Sequence, residues 1–184
     1  MAVLNVLLLG NPKLHEVSHP VKMHDVSNLK GLIKDLHDTL MDFRRRTHAG
    51  RAIAAPQVGV MKRIIYLYID RPIVLLNPIL SRKSRERMVV WDDCMCFPDL
   101  LVKIKRHRTC RIDYRDTNWN KCELSLEGDL SELLQHEVDH LDGLLAVSRA
   151  VDQHSFALRS QKRFLTAHQP WKALRPSKGR ASRQ

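Results

Sequence analysis

A chain of 184 residues, 43% hydrophobic but only 5% aromatic, is long enough for one domain whose core rests on Leu, Ile and Val rather than on rings. The formal net charge is +11 and unevenly placed: eight of the 31 basic residues and none of the 20 acidic ones follow Asp152. No run approaches the ~20 apolar residues of a membrane span, and four cysteines in a chain of this size do not make a disulfide framework, so a reducing, cytoplasmic location is expected.

The opening MAVLNVLLLGNPKL lacks a basic leader and a small-residue cleavage site, and reads as a strand and a turn. From Asn28 the spacing of Leu29, Leu32, Ile33, Leu36 and Leu40 predicts a helix capped by Ser27 or Asn28 and stopped at Gly50. Arg44, Arg45 and Arg46 suit its solvated C-terminal end. Six β-type runs follow: IIYLYI at 64–69, IVLLNPIL at 73–80, MVVW at 88–91, LVKIK at 101–105, CRIDY at 110–114 and CELSL at 122–126. Asn77-Pro78, Pro98-Asp99 and Asp116-Thr117-Asn118 are the turn signals between them. The period then changes. Asp129-Leu130-Ser131-Glu132 reads as a capping box for a helix running to about Gly143. A last helix is expected within 151–167, followed by a basic tail over 168–184, expected to be disordered. That tail is either a solvated segment or one drawn to a polyanion such as ribosomal RNA. The layout is α+β, with antiparallel β-sheets packed around one central helix.

The stretch QHEVDHLDG at 135–143 carries the chemistry. Residues four apart share a helix face, so His136 and His140 can address one cation, with Glu137 one step round and free to reach a ligand of that cation. The competing reading is a pair of core histidines satisfied by hydrogen bonds. Two imidazoles leave a divalent ion short of donors, and Cys94 in WDDCMCFPD is the candidate third, giving a set suited to Fe(II), Zn(II) or Co(II).

Three stretches in order, GRAIAAPQVG at 50–59, WDDCMCFP at 91–98 and QHEVDHLDG at 135–143, resemble the signature motifs GxGxAAxQ, EGCLS and QHExDHLxG of the peptide deformylases. The likeness covers about residues 1–150, a deformylase-like catalytic domain. It implies that Cys94, His136 and His140 hold one divalent metal, Fe2+ first, with Zn2+, Ni2+ or Co2+ as substitutes. Glu137 would move the protons, and Gln57 and the Met95 backbone N–H would bind the oxyanion. The substrate implied is a formylated nascent peptide. Asp92 would either pair with Arg106 to hold the cysteine loop or form an ordinary surface pair with it.

The motifs also depart from the family. Ala52 and Asp93 replace glycines at positions that flank bound substrate, and Leu133 is the candidate wall of the first-side-chain pocket. Asp93 brings negative charge to the mouth of the site, which would favour cationic groups. Cys96 replaces a serine and opens a rival reading, a closed Cys94–Cys96–His136–His140 zinc site without catalysis. Glu132 is either turned away by its capping role or faces the cleft, where it would move the preference to another N-formyl substrate.

Overall fold

The computed structural model describes residues 2–165, and in that span the apolar runs become eight strands and two α-helices. Helix α1 (Lys30–Thr47) is followed by β1 (Ala52–Ala54), β2 (Ile64–Tyr68), β3 (Pro72–Ser81), β4 (Arg87–Asp93), β5 (Leu100–His107), β6 (Thr109–Arg115) and β7 (Lys121–Glu127). Helix α2 (Gly128–Leu141) and strand β8 (Phe156–Leu158) complete the order. One sheet runs β1-β2-β3-β6-β7 and the other β4-β5-β8, with every pairing antiparallel. This is the expected α+β arrangement.

Strand β2 shows how one sheet serves two layers, because successive side chains leave opposite faces. Ile64 and Tyr66 join Leu36, Leu40 and Phe43 of α1, whereas Ile65 and Leu67 join Leu134, Val138 and Leu141 of α2. Both faces are buried, which is why the run is apolar throughout rather than alternating. The second sheet grips α2 through the end of β5. The Gln135 side chain accepts from the His107 N–H at 3.0 Å and donates to the His107 carbonyl at 2.9 Å, and the Ser131 hydroxyl donates to the same carbonyl at 2.8 Å.

Four local expectations change. Residues 2–9 join neither sheet; the Leu7 N–H donates to Gln57 O and the Leu9 N–H to Cys96 O, both at 2.8 Å, so this segment lines the back of two motifs. Helix α1 begins after a 3-10 turn over Met23–Leu29 with no side-chain cap, and it stops at His48 (φ 55), before Gly50. Asn77-Pro78 does not end a strand. β3 runs through it with a bulge, because Asn77 accepts φ 51 and its amide pairs with both the N–H and the C=O of Val21 at 2.8 Å. The helix expected within 151–167 is replaced by β8 and a 3-10 turn over Arg159–Phe164, since Leu158, Ala157 and Phe156 complete the edge of β5. The basic segment 168–184 lies outside the described residues.

After α2 the chain turns at Gly143 (φ +70), where an added Cβ would lie 2.5 Å from the His15 carbonyl oxygen. Left-handed backbone and close backbone approach both demand glycine there. Gly143→Ala is expected to lower stability by about 2–3 kcal/mol, read as a lower urea midpoint at unchanged slope.

Candidate metal centre

Helix α2 places His136 and His140 on one face, as their spacing predicts, and the turn after β4 brings Cys94 to them. The Nε2 atoms of the two histidines are 3.0 Å apart, and Cys94 Sγ is 3.2 Å from His140 Nε2. All three donors lie within 4.8 Å of one another, and Cys96 falls outside that group. Bonds of 2.0–2.3 Å at tetrahedral angles separate donors by about 3.3–3.6 Å, so this set is close to the spacing a cation requires. A second observation agrees. His136 Nδ1 faces Asp92, which turns its Nε2 toward His140 Nε2, so the two ring nitrogens meet at one point.

Five side chains hold this geometry. His136 Nδ1 is 2.9 Å from Asp92 Oδ1; Asp92 Oδ2 accepts from Arg106 Nη2 at 3.1 Å; Arg106 Nη1 donates to Asp139; and Arg149 grips both Asp139 oxygens at 2.6 Å. Asp92 and Arg106 are each only 3% exposed, so they form an interior ion pair, not a surface one. Burial opposes ionisation of Asp92, yet the charges of His136 and Arg106 outweigh it and lower its pKa. Burial likewise opposes protonation of His136, but the Asp92 charge and hydrogen bond raise it to about 10. His140, buried and beside His136, is driven well down. Burial pushes the Cys94 thiol up, and the Cys96 N–H donates to its sulfur at 3.4 Å. Asp92, Glu132 and His136 also lie within 4.8 Å of one another, but Asp92 and His136 are already engaged with each other and with Arg106.

One cavity of about 80 Å³ meets this centre. Cys94, His136, Glu137, Gln57, Met95, Ala52, Asp93 and Leu133 all line it, and His140 lies behind them. Glu137 is 3% exposed, its Oε2 has no hydrogen-bond partner, and burial pushes it up to about 7. Gln57 is oriented by its own backbone: its Oε1 accepts the Ala54 N–H at 2.8 Å, which turns Nε2 to within 3.6 Å of both Cys94 Sγ and Cys96 Sγ. The two thiols share that donor because the chain turns at Cys94, with the Phe97 N–H bonded to the Cys94 carbonyl at 3.1 Å, rather than extending as a strand would.

The departures from the family motifs fall into place one by one. Neither Ala52 nor Asp93 has a positive φ, so neither replaced glycine was needed for backbone freedom here. Asp93 is paired with Arg159 Nη2 at 2.7 Å, so its charge is met from within the chain. The capping box does not form: Glu127 is the N-cap residue, no side chain caps α2, and Glu132 lines the cavity. Burial, then the Asp92 charge, raises Glu132 to about 8, and Arg51 Nη2 stands 3.8 Å away. Sequence reasoning missed Arg51, Phe43 and Arg159 on the cavity wall. Arg51 was visible as the variable position of the first motif, whereas Arg159 was hidden in a segment read as helix.

A thiol, two imidazoles and an unpaired carboxyl around one cavity define a metallohydrolase-type centre. The family model described as polypeptide deformylase matches residues 3–156. Peptide deformylase 1 of Prochlorococcus marinus (strain MIT 9313) is 35% identical over 175 residues, which cover 88% of this chain and 88% of that protein. The crystal structure of peptide deformylase from Thermotoga maritima has a TM-score of 0.76 at 29% identity, covering 83% of this chain and 100% of that one. The K1U-bound class I type b peptide deformylase from Acinetobacter baumannii gives 0.74 at 29% identity, with coverage of 81% and 100%. The chain belongs to the polypeptide deformylase family, whose members use a divalent metal.

Without a cation, Glu137 (4.5 to about 7), Glu132 (4.5 to about 8) and His136 (6.5 to about 10) all hold protons more tightly folded than unfolded. Their contribution to stability is therefore fully present at low pH and is lost as pH rises through those values. His140, driven down, contributes with the opposite sign below about pH 6.5, so the metal-free protein is expected to lose several degrees of Tm between about pH 7 and pH 9. Metal binding releases protons from the donors, so the loaded protein is expected to hold its Tm over the same range. Calorimetry with and without chelator checks both.

Proposed function

We propose that this protein is a metal-dependent amidohydrolase that removes the formyl group from the N-terminal formyl-methionine of nascent polypeptides. The observation that carries the reading is the clustering of Cys94, His136 and His140 beside a cavity that Glu137 and Gln57 also line, in a chain of this family. Cys94, His136 and His140 are taken as the metal ligands. The mixed thiolate and imidazole set suits an ion of intermediate softness, Fe2+ by preference, with Zn2+, Ni2+ or Co2+ able to use the same donors. When bound, the ion supplies the charge that acidifies water and polarises the formyl carbonyl.

The remaining work falls to side chains and backbone. Glu137, held near the ionisation point of a neutral-pH base, takes the proton of the attacking water and returns one to the leaving amine as formate departs. Gln57 Nε2, fixed by the Ala54 N–H, and the Met95 N–H are the donors for the oxyanion. Ala52, Asp93 and Leu133 flank the substrate on the cavity wall. No helix among the described residues is long and apolar enough to cross a membrane, and the nascent-chain substrate makes the cytoplasm the expected place of work. The charge excess beyond Asp152 supports an additional role for segment 168–184 in holding the enzyme near ribosomal RNA.

Glu137→Gln is expected to keep its metal and lose turnover of formyl-methionyl peptides by about 10²–10⁴-fold; full activity in that variant would remove the proton-transfer role. Deleting residues 168–184 is expected to leave peptide turnover intact and to abolish salt-sensitive cosedimentation with ribosomes. Unchanged cosedimentation would remove the tail from that role.

A further inference from the structure

Four carboxyl groups line the cavity among the described residues: Asp92, Asp93, Glu132 and Glu137. Asp92 is committed to His136 and Arg106, Asp93 to Arg159, and Glu137 to proton transfer. Glu132 has only a looser ion pair, with Arg51. It stands one helical turn before His136, its side chain is 12% exposed, and the nearest guanidinium nitrogen, Arg51 Nη2 at 3.8 Å, is beyond hydrogen-bonding distance. The same cavity wall carries Leu133, Phe43, Gly50 and Ala52, while the Glu132 carboxyl itself lies within 4.8 Å of Asp92 and His136. A side chain entering this cavity beside the metal centre therefore meets a carboxyl group that is sheltered from water and not hydrogen-bonded to that guanidinium.

Such a group discriminates. A thioether or aliphatic chain seals the carboxyl away without returning a hydrogen-bond donor, while an amide or ammonium supplies one. Sites with a buried polar group reject partners that leave it unpaired far more strongly than apolar pockets reject polar guests. The cavity as a whole is also small, about 80 Å³, which disfavours branching.

We propose that Glu132 sets the first-side-chain preference of this enzyme, extending its substrates from formyl-methionine to N-formyl peptides whose first residue is unbranched and ends in a hydrogen-bond donor. The inference rests on the deformylase reading, because it requires the formyl group to be seated at the Cys94, His136 and His140 centre.

The test uses full-length, metal-loaded protein with Glu132→Leu and Glu132→Gln beside it. Leucine suits a half-buried helix position and glutamine keeps the shape, so both variants fold. Formyl-Met, formyl-norleucine, formyl-Gln and formyl-Lys tripeptides of otherwise identical sequence are compared by kcat/KM. Equilibrium binding of the same peptides is measured in the Glu137→Gln background. Glu132→Leu is expected to shift the formyl-Met to formyl-Gln ratio about 100-fold toward methionine, and Glu132→Gln, which keeps a side-chain acceptor, to retain formyl-Gln. An unchanged ratio in Glu132→Leu overturns the inference while leaving deformylation intact. Absence of turnover with every formyl peptide instead fells the deformylase reading. In that event the binding series still decides, since a preference for donor-ended chains that disappears in Glu132→Leu upholds the recognition role and its absence removes it.

Discussion

The structure depends on a buried relay of alternating charge, His136 to Asp92 to Arg106 to Asp139 to Arg149. Two of its members belong to α2, two to the second sheet and one to the turn after the helix, so a single chain of contacts fixes the helix that carries the imidazoles against the strand that leads to the thiol. Breaking one partner of a buried pair typically costs about 3–5 kcal/mol because a charge is left uncompensated. Here it would also release His136 Nδ1, the contact that turns the ring's Nε2 toward His140. Stability and chemistry thus meet at Asp92 and Arg106.

The apolar framework makes that polar relay affordable. The five-stranded sheet is covered on one face by α1 and on the other by α2, so the helix bearing ionisable groups is enclosed rather than laid on a surface. Enclosure is also what shifts the site. Burial lifts Glu137 toward neutrality and keeps His140 neutral, two conditions that suit a proton carrier and a metal donor respectively.

Much of this was legible in the residues. Apolar β-type runs located β2 to β7, and the change to helical spacing located α2, because both signals reflect which faces are buried. The spacing of His136 and His140 placed two donors together, Cys94 was the candidate third from its own surroundings, and the resemblance supplied Gln57 and Met95; Cys94, Gln57 and Met95 all meet at the cavity. Local cap chemistry misled. Asp129 and Glu132 have the right spacing for a capping box, but the turn at Gly128 (φ 56) starts the helix from Glu127 and sends Glu132 into the cleft. Asn77-Pro78 reads as a turn until the long-range partner Val21 is known, and the helical spacing near β8 gives way to an open strand edge on β5. In each case a contact distant in sequence overrode a local preference, and no single-chain pattern encodes that contact.

The central claim is that one sulfur and two imidazole nitrogens share a cation that retains room for solvent. X-ray absorption on the metal-loaded protein tests it most directly. The account predicts one sulfur, two imidazole nitrogens and one light atom around the ion, with the sulfur shell lost in Cys94→Ser and kept in Cys96→Ser. A shell of two sulfurs, or one that survives Cys94→Ser, would contradict it.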